Sequence, residues 1–224
     1  MSNTVDYGNI WSESFKSEGI RLIHTEVGDG RGESIQEQVI HATAAAADKL
    51  YKCRIPRYLQ PDTRVLEIGC GPGFNLRALN GSGVSLQGVD PCNELVTYGF
   101  QNVVNETDMW LHHGYFQSTK FPAPYDLIFE LIVFQHLRKS QVQEIFNAVP
   151  KNLGPDGRFV FQMLHTDSPR VRPWDGDEDE RPVPCMRGYS TGEVNSMLSE
   201  AGMAMVKRWF VSEDWFMVES EKAN

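Results

Sequence analysis

The chain has few cysteines, no long apolar run and no dense cluster of basic residues, and each lack removes a class of protein. Its four cysteines, Cys53, Cys70, Cys92 and Cys185, show no C-x-x-C spacing and no close histidine pairing. Neither a metal site nor a disulfide framework is expected; ordinary thiols in a reducing compartment are. No stretch approaches the roughly 20 apolar residues of a membrane span, and the opening MSNTVDYGNI lacks the basic-then-apolar order of a secretory signal. A cytoplasmic protein with no membrane partner is expected. With 21 basic residues against 30 acidic ones, the formal charge is −9. No Lys/Arg cluster can track a phosphate backbone, so nucleic acid is not the expected partner.

What is present suits an enzyme-sized core. A chain of 224 residues with 41% hydrophobic content can bury one substantial core, read here as a domain over 34–224 preceded by an arm over 1–33. Ser34 and Glu37 form a capping box ahead of Val39, Ile40, Ala44, Ala47 and Leu50, which predicts an amphipathic helix. Strands are expected at 64–68, 84–90, near Trp110 and at 125–133, and 153–163 is expected as a turn feeding a further strand. Helices are expected at 74–79, at about 94–100, from Ser140-x-x-Gln143, and from Ser190-x-x-Glu193 to a stop at Gly202. Runs at 203–211 and 215–220, separated by the polar break SED, predict a closing antiparallel hairpin. Strands alternating with helices imply an α/β fold: a doubly wound, Rossmann-like sandwich around a mostly parallel sheet, with the hairpin at its C-terminal end.

The stretch VLEIGCGPGFNL at 65–76 places Gly69, Gly71 and Gly73 directly after a short apolar strand, with Glu67 two residues before the first of them. In such sheets ligands bind at the carboxyl ends of the strands, and glycines let the backbone come close. A dinucleotide turn is spaced G-x-G-x-x-G; this one is G-x-G-x-G, with an acid that repels a pyrophosphate and suits a cation. Asp90, at the end of the next strand, can accept from both hydroxyls of a ribose. The ligand inferred is a nucleoside bearing a positive group and no phosphate.

These residues resemble the class I S-adenosylmethionine-dependent methyltransferases, within them the group acting on small molecules. VLEIGCGPG looks like the first motif of that family, GVDP like its acidic second-strand motif, YDLIFELIVFQHL like its fourth strand, and LGPDGRFVFQ like its fifth. The resemblance implies S-adenosylmethionine as cofactor and a small molecule as methyl acceptor. It further implies that Gly69, Gly71 and Gly73 pass the methionine part beside Glu67, that Asp90 and Pro91 hold the ribose, and that Glu130 and Leu131 face the methionine amino group. Where many members carry an adenine-binding acid, this chain has Tyr115 followed by Phe116, each of which either flanks the adenine or packs in the core. No N/D-P-P-Y/F motif follows the fourth strand, where FQHL stands, and no carboxylate set for Mg2+ is visible. That leaves transfer to an O, N or C atom of a small molecule.

Two segments are expected to define that acceptor. Residues 1–33 carry Tyr7, Trp11, Phe15 and His24 before the glycine-rich VGDGRGE, as a lid or an ordinary extension. Residues 165–189 carry acids, prolines and Trp174, either as a solvated loop or with Trp174, Arg187 and Tyr189 at a pocket mouth. His136 and His165, just past the fourth and fifth strands, are the candidate general bases; for His136 the competing reading is packing at a helix start. Two other readings stay open: a non-catalytic cofactor-binding or regulatory protein on the same fold, and a nicotinamide-dependent dehydrogenase, which the glycine spacing and Glu67 disfavour.

Overall fold

A computed structural model of the chain describes residues 7–18, 34–81, 83–104, 109–122, 124–182 and 184–223. The chain divides into two compact units, residues 1–115 and 116–224. Most of the expected arm lies outside the described residues; its helix α1, Tyr7–Glu18, lies within them.

In the first unit, Ser34 caps helix α2 (Ile35–Lys52): its N–H donates to Glu37 Oε2 at 2.8 Å, and Glu37 N donates to its hydroxyl at 3.3 Å. The reciprocal bonds satisfy donors that a helix start leaves open, and the helix buries Val39, Ala42, Ala46 and Leu50. Strand β1 (Arg64–Ile68), helix α3 (Phe74–Leu79), strand β2 (Ser85–Asp90), helix α4 (Asn93–Asn102) and strand β3 (Met109–His113) follow. The strands pair in parallel, β2 in the centre, with Val65 beside Leu86 and Leu86 beside Met109. Both connections are helical crossovers, as parallel pairing requires.

The second unit holds strand β4 (Tyr125–Glu130), a single 3-10 turn (Phe134–His136), helix α5 (Lys139–Asn152), strand β5 (Leu153–Leu164), helix α6 (Thr191–Glu200) and strands β6 (Met203–Phe210) and β7 (Trp215–Lys222). Strand β4 pairs in parallel with β5, β5 pairs antiparallel with β7, and β7 with β6. The mostly parallel pattern with a C-terminal hairpin is the one expected from the sequence. Along β5, Phe159 and Phe161 alternate onto one face, where their rings lie 4.6 Å apart and meet Phe146 of α5 at 5.6 and 5.0 Å. Phe134 joins the same cluster, 5.6 Å from Phe146. Such offset and edge contacts fix the start of the 3-10 turn that follows β4. Helix α5 begins two residues earlier than expected: Arg138 N donates to Gln141 Oε1 at 3.0 Å, so the N-cap is Arg138 and Ser140 sits inside the first turn. Among the described residues, no helix is long and apolar enough to cross a membrane.

Candidate functional site

The glycine turn answers its own spacing. Gly69, Gly71 and Gly73 have φ of 69°, 52° and 90°, all left-handed, a region that side chains with a Cβ enter only at a cost. Close packing adds a second reason at Gly73, where a Cβ would stand 2.4 Å from Met109 Cε; at Gly71 the nearest atom would be 3.9 Å away. The turn is pinned to the neighbouring strand, since Gly69 N and Cys70 N both donate to the Val89 carbonyl, at 2.8 and 3.2 Å.

Asp90, ending β2, faces this turn. Its Oδ2 accepts from Gly71 N at 2.9 Å and its Oδ1 from Cys92 N at 2.8 Å, and the residue is 8% exposed. Burial pushes its carboxyl up to about 6, against the pull of the two backbone donors and of His113. Each oxygen spends one acceptor position on a backbone N–H and retains capacity for another donor. Glu67 is buried in β1 and accepts from Asn75 Nδ2 at 2.5 Å, which ties α3 to the strand. Pro91 offers its carbonyl to His113 Nε2 at 3.2 Å. Tyr115 is half-buried and its hydroxyl accepts from Gly8 N of α1 at 3.5 Å. A second tie joins α1 to this corner: Ser12 donates to Glu94 and lies 3.5 Å from Cys92 Sγ. Trp11, next to Ser12, is half-buried.

In the second unit the expected residues separate by role. Phe116 is core: its ring packs 5.6 Å from Phe121, which in turn lies 5.8 Å from Tyr125, so it is not an open stacking face. Glu130 is fully buried, and its carboxylate is used by backbone donors. Oε1 accepts from Val133 N and Phe134 N, and Oε2 from Gln162 N at 3.3 Å. It pegs the turn after β4 to strand β5. Leu131 beside it is buried. Next in the turn, Ile132 has φ of 66°, a strained conformation for a β-branched residue.

The two candidate bases differ in tautomer. His136 Nδ1 lies 3.0 Å from the Cys185 carbonyl, which can only accept, so Nδ1 carries the hydrogen and Nε2 is the basic nitrogen. Burial holds this ring below the usual histidine value, partly offset by that bond. His165 Nδ1 accepts from Asp167 N at 3.3 Å, so its basic nitrogen is spent locally, and its ring sits 5.7 and 5.9 Å from Phe210 and Phe216.

Arg187 and Tyr189 do not form a pocket mouth. Arg187 is 7% exposed, paired to Glu178 at 2.9 Å and to Glu193 at 3.0 Å, with its guanidinium 4.3 Å over the fully buried Tyr189 ring. Glu178 belongs to the acidic run that read as a solvated loop; it bolts the segment to the start of α6, where Glu193 also closes the expected capping box with Ser190. Trp174 is partly exposed and folds on its own turn, with Nε1 donating to the Asp177 carbonyl at 2.9 Å. Sequence reasoning missed Asn75, His113, Ile132, Gln135 and Gln162. Only Asn75 had a signal, a polar residue in the first turn of a helix that starts behind an acid.

Comparisons with known proteins bear on the family and the fold. The family model for a methyltransferase domain matches residues 35–208. An uncharacterized methyltransferase of Staphylococcus carnosus is 26% identical over 99 residues, which span 44% of this chain and 45% of that one, so less than half of the relative is matched. The magnesium protoporphyrin IX methyltransferase of Synechocystis PCC 6803, solved with bound S-adenosylmethionine, superposes with a TM-score of 0.67 at 15% identity and full coverage of both chains. The CcbJ methyltransferase of Streptomyces caelestis gives 0.64 at 16% identity, covering 79% of this chain and 96% of its own. These likenesses carry the fold, and the match over 35–208 carries the family: the chain belongs to the class I S-adenosylmethionine-dependent methyltransferases.

Proposed function

We propose that this protein transfers the methyl group of S-adenosylmethionine to an oxygen, nitrogen or carbon atom of a small molecule. The observation that carries the reading is the left-handed glycine turn whose Gly71 N–H is tied to buried Asp90. The residues present fit the cofactor. A bare backbone at Gly69, Gly71 and Gly73 admits close approach, Asp90 can take two ribose hydroxyls on its remaining lone pairs, and Glu67 supplies negative charge near a sulfonium. Pro91 and Tyr115 flank the ribose side of this set. Helix α1, held by Ser12 to Glu94, serves as the cover that keeps water out.

The bound cofactor supplies a methyl group already activated on sulfur, for displacement in line with the S–CH3 bond. The chain's own contribution is positioning and, for an acceptor that must lose a proton, a base. His136 fills that role better than His165, because its Nε2 is the basic nitrogen whereas His165 has spent its own on Asp167. Trp174 and Trp11 remain candidates for acceptor contact; Arg187 and Tyr189 act through packing. A cytoplasmic setting suits the four buried free cysteines.

The test is calorimetric titration with S-adenosylhomocysteine and with NAD, followed by transfer of labelled methyl from S-adenosylmethionine across amines, phenols, carboxylates and carbon acids. Binding of S-adenosylhomocysteine with turnover of at least one class is expected. Tighter binding of NAD overturns the reading. Tight S-adenosylhomocysteine binding without turnover of any class favours a regulatory protein on the same fold.

A further inference from the structure

The turn that follows β4 and the strand β5 each hold a buried acceptor that no described residue uses. Gln135 is 1% exposed and Gln162 is 5% exposed, yet among the described residues neither Gln135 Oε1 nor Gln162 Oε1 has a hydrogen-bond partner. A buried amide oxygen without a donor is costly and is retained only where something repays it. The two are anchored on one carboxylate: Glu130 Oε1 holds the backbone of Val133 and Phe134, immediately before Gln135, and Oε2 holds the backbone of Gln162.

The surroundings prevent the Gln135 amide from simply turning to find a partner. Gln135 Nε2 donates to the Ile132 carbonyl at 2.8 Å, so a flipped amide would set oxygen against oxygen, and Oε1 must be the other end. The backbone is clamped as well, because Arg187 N donates to the Gln135 carbonyl at 2.9 Å and Cys185 N to the His136 carbonyl at 3.0 Å. The bond from Gln135 ends on Ile132, the left-handed β-branched residue of the same turn. Strain of that kind collects at ligand clamps.

We propose that Gln135 Oε1 and Gln162 Oε1 receive the hydrogen-bond donors of the methyl acceptor, which is therefore a molecule with N–H or O–H groups, an amine, amide or hydroxyl compound, rather than a carboxylate. The inference rests on the methyltransferase reading and narrows its substrate class. A site built from acceptor oxygens rejects an acceptor-only anion because nothing can then pair with those oxygens.

Benzylamine, benzamide, phenol and benzoate serve as probes, since they share one ring and differ in the polar group. Thermal shift is read in the presence of S-adenosylhomocysteine for the wild type and for Gln162→Met and Gln135→Met. Stabilisation of the wild type by one or more of the three donor probes and not by benzoate, lost in both variants with S-adenosylhomocysteine affinity retained, is expected. Gln162→Met alone should have an unchanged or higher Tm without probe, because it deletes an unused acceptor; Gln135→Met also loses the bond to Ile132 and is read only through the probes. A fall in Tm for Gln162→Met, equal stabilisation by benzoate, or shifts retained in the variants overturns the proposal. Wild-type protein stabilised by S-adenosylhomocysteine but by no donor probe overturns the subsite and leaves the methyltransferase reading standing. Wild-type protein indifferent to S-adenosylhomocysteine overturns both.

Discussion

Replacing Asp90 by Asn separates what this residue does for the fold from what it does for the cofactor. Its carboxylate accepts Gly71 N at 2.9 Å and Cys92 N at 2.8 Å while 8% exposed. Asn keeps one acceptor and turns an NH2 toward the other N–H, leaving a buried donor unpaired at a cost of about 1–3 kcal/mol. The opposing effect is electrostatic. Burial raises the carboxyl from 3.8 to about 6, and a raised folded pKa means that the protonated acid is the form the fold prefers. Stability is therefore greatest below the unfolded value and is lost as pH rises through about 6. At neutral pH the ionised side chain costs the fold about 3 kcal/mol, because a tenfold change in proton affinity is worth about 1.4 kcal/mol. The two terms nearly cancel, so Asp90→Asn should leave Tm at pH 7.5 within a few degrees of the wild type. At pH 4 the wild type regains about 2–3 kcal/mol and the variant does not. Cofactor affinity shows no such compensation. The ribose hydroxyls lose a charged acceptor, about 1.5–3 kcal/mol or roughly 10- to 150-fold in Kd. The wild type should itself lose affinity about tenfold for each step of one in pH below 6, because the hydroxyls must compete with a proton. Calorimetry with S-adenosylhomocysteine from pH 4.5 to 7.5, beside thermal unfolding of both proteins, reads every part. Equal Kd in wild type and Asp90→Asn, or a wild-type Kd flat across that range, refutes the assignment.

Three further outcomes follow from the same geometry. Gly73→Ala should destabilise by about 1–3 kcal/mol, combining strain at φ 90° with a methyl that Met109 Cε must swing away from and that stands 3.2 Å from Leu111 Cδ2, whereas Gly71→Ala should cost about 1–2 kcal/mol from strain alone; denaturant midpoints that rank the two the other way refute the packing argument. Arg187→Met strips both Glu178 and Glu193 of their partner and should cost about 2–4 kcal/mol, discounted for the partial exposure of the two carboxylates. Arg187→Lys should not restore it, since one ammonium cannot reproduce the fork. For His136, burial lowers the folded pKa, so stability is lost as pH falls below about 6.5. If His136 is the base, His136→Ala should also abolish the acid limb of the single-turnover rate while S-adenosylhomocysteine affinity holds, and an unchanged pH profile removes it from proton transfer.

Local rules made most of the fold legible. The capping boxes at Ser34 and Ser190, the alternation in 203–211 and 215–220, and the alternating glycines are each set by neighbours within a few positions, so the sequence displays them directly. The place of Asp90 was legible for a similar reason: a strand-ending acid beside a glycine turn has that turn's free N–H within reach, and it accepts from Gly71 N. What stayed hidden depends on partners distant in sequence. Glu130 interrupts an apolar strand, which signals that something must satisfy it; the sequence does not reveal that the partners are the N–H groups of Val133, Phe134 and Gln162 rather than a ligand. Arg187 and Tyr189 followed an acidic run and looked like surface, yet Glu178 from that run turns inward and makes Arg187 a staple. Ile132 gives no signal at all, because a β-branched residue is the last choice for a left-handed turn. That exception is instructive. Local preference fails at the same turn where Gln135 buries an amide oxygen that no described residue uses, and natural sequences set local and global demands in conflict at functional or strained sites.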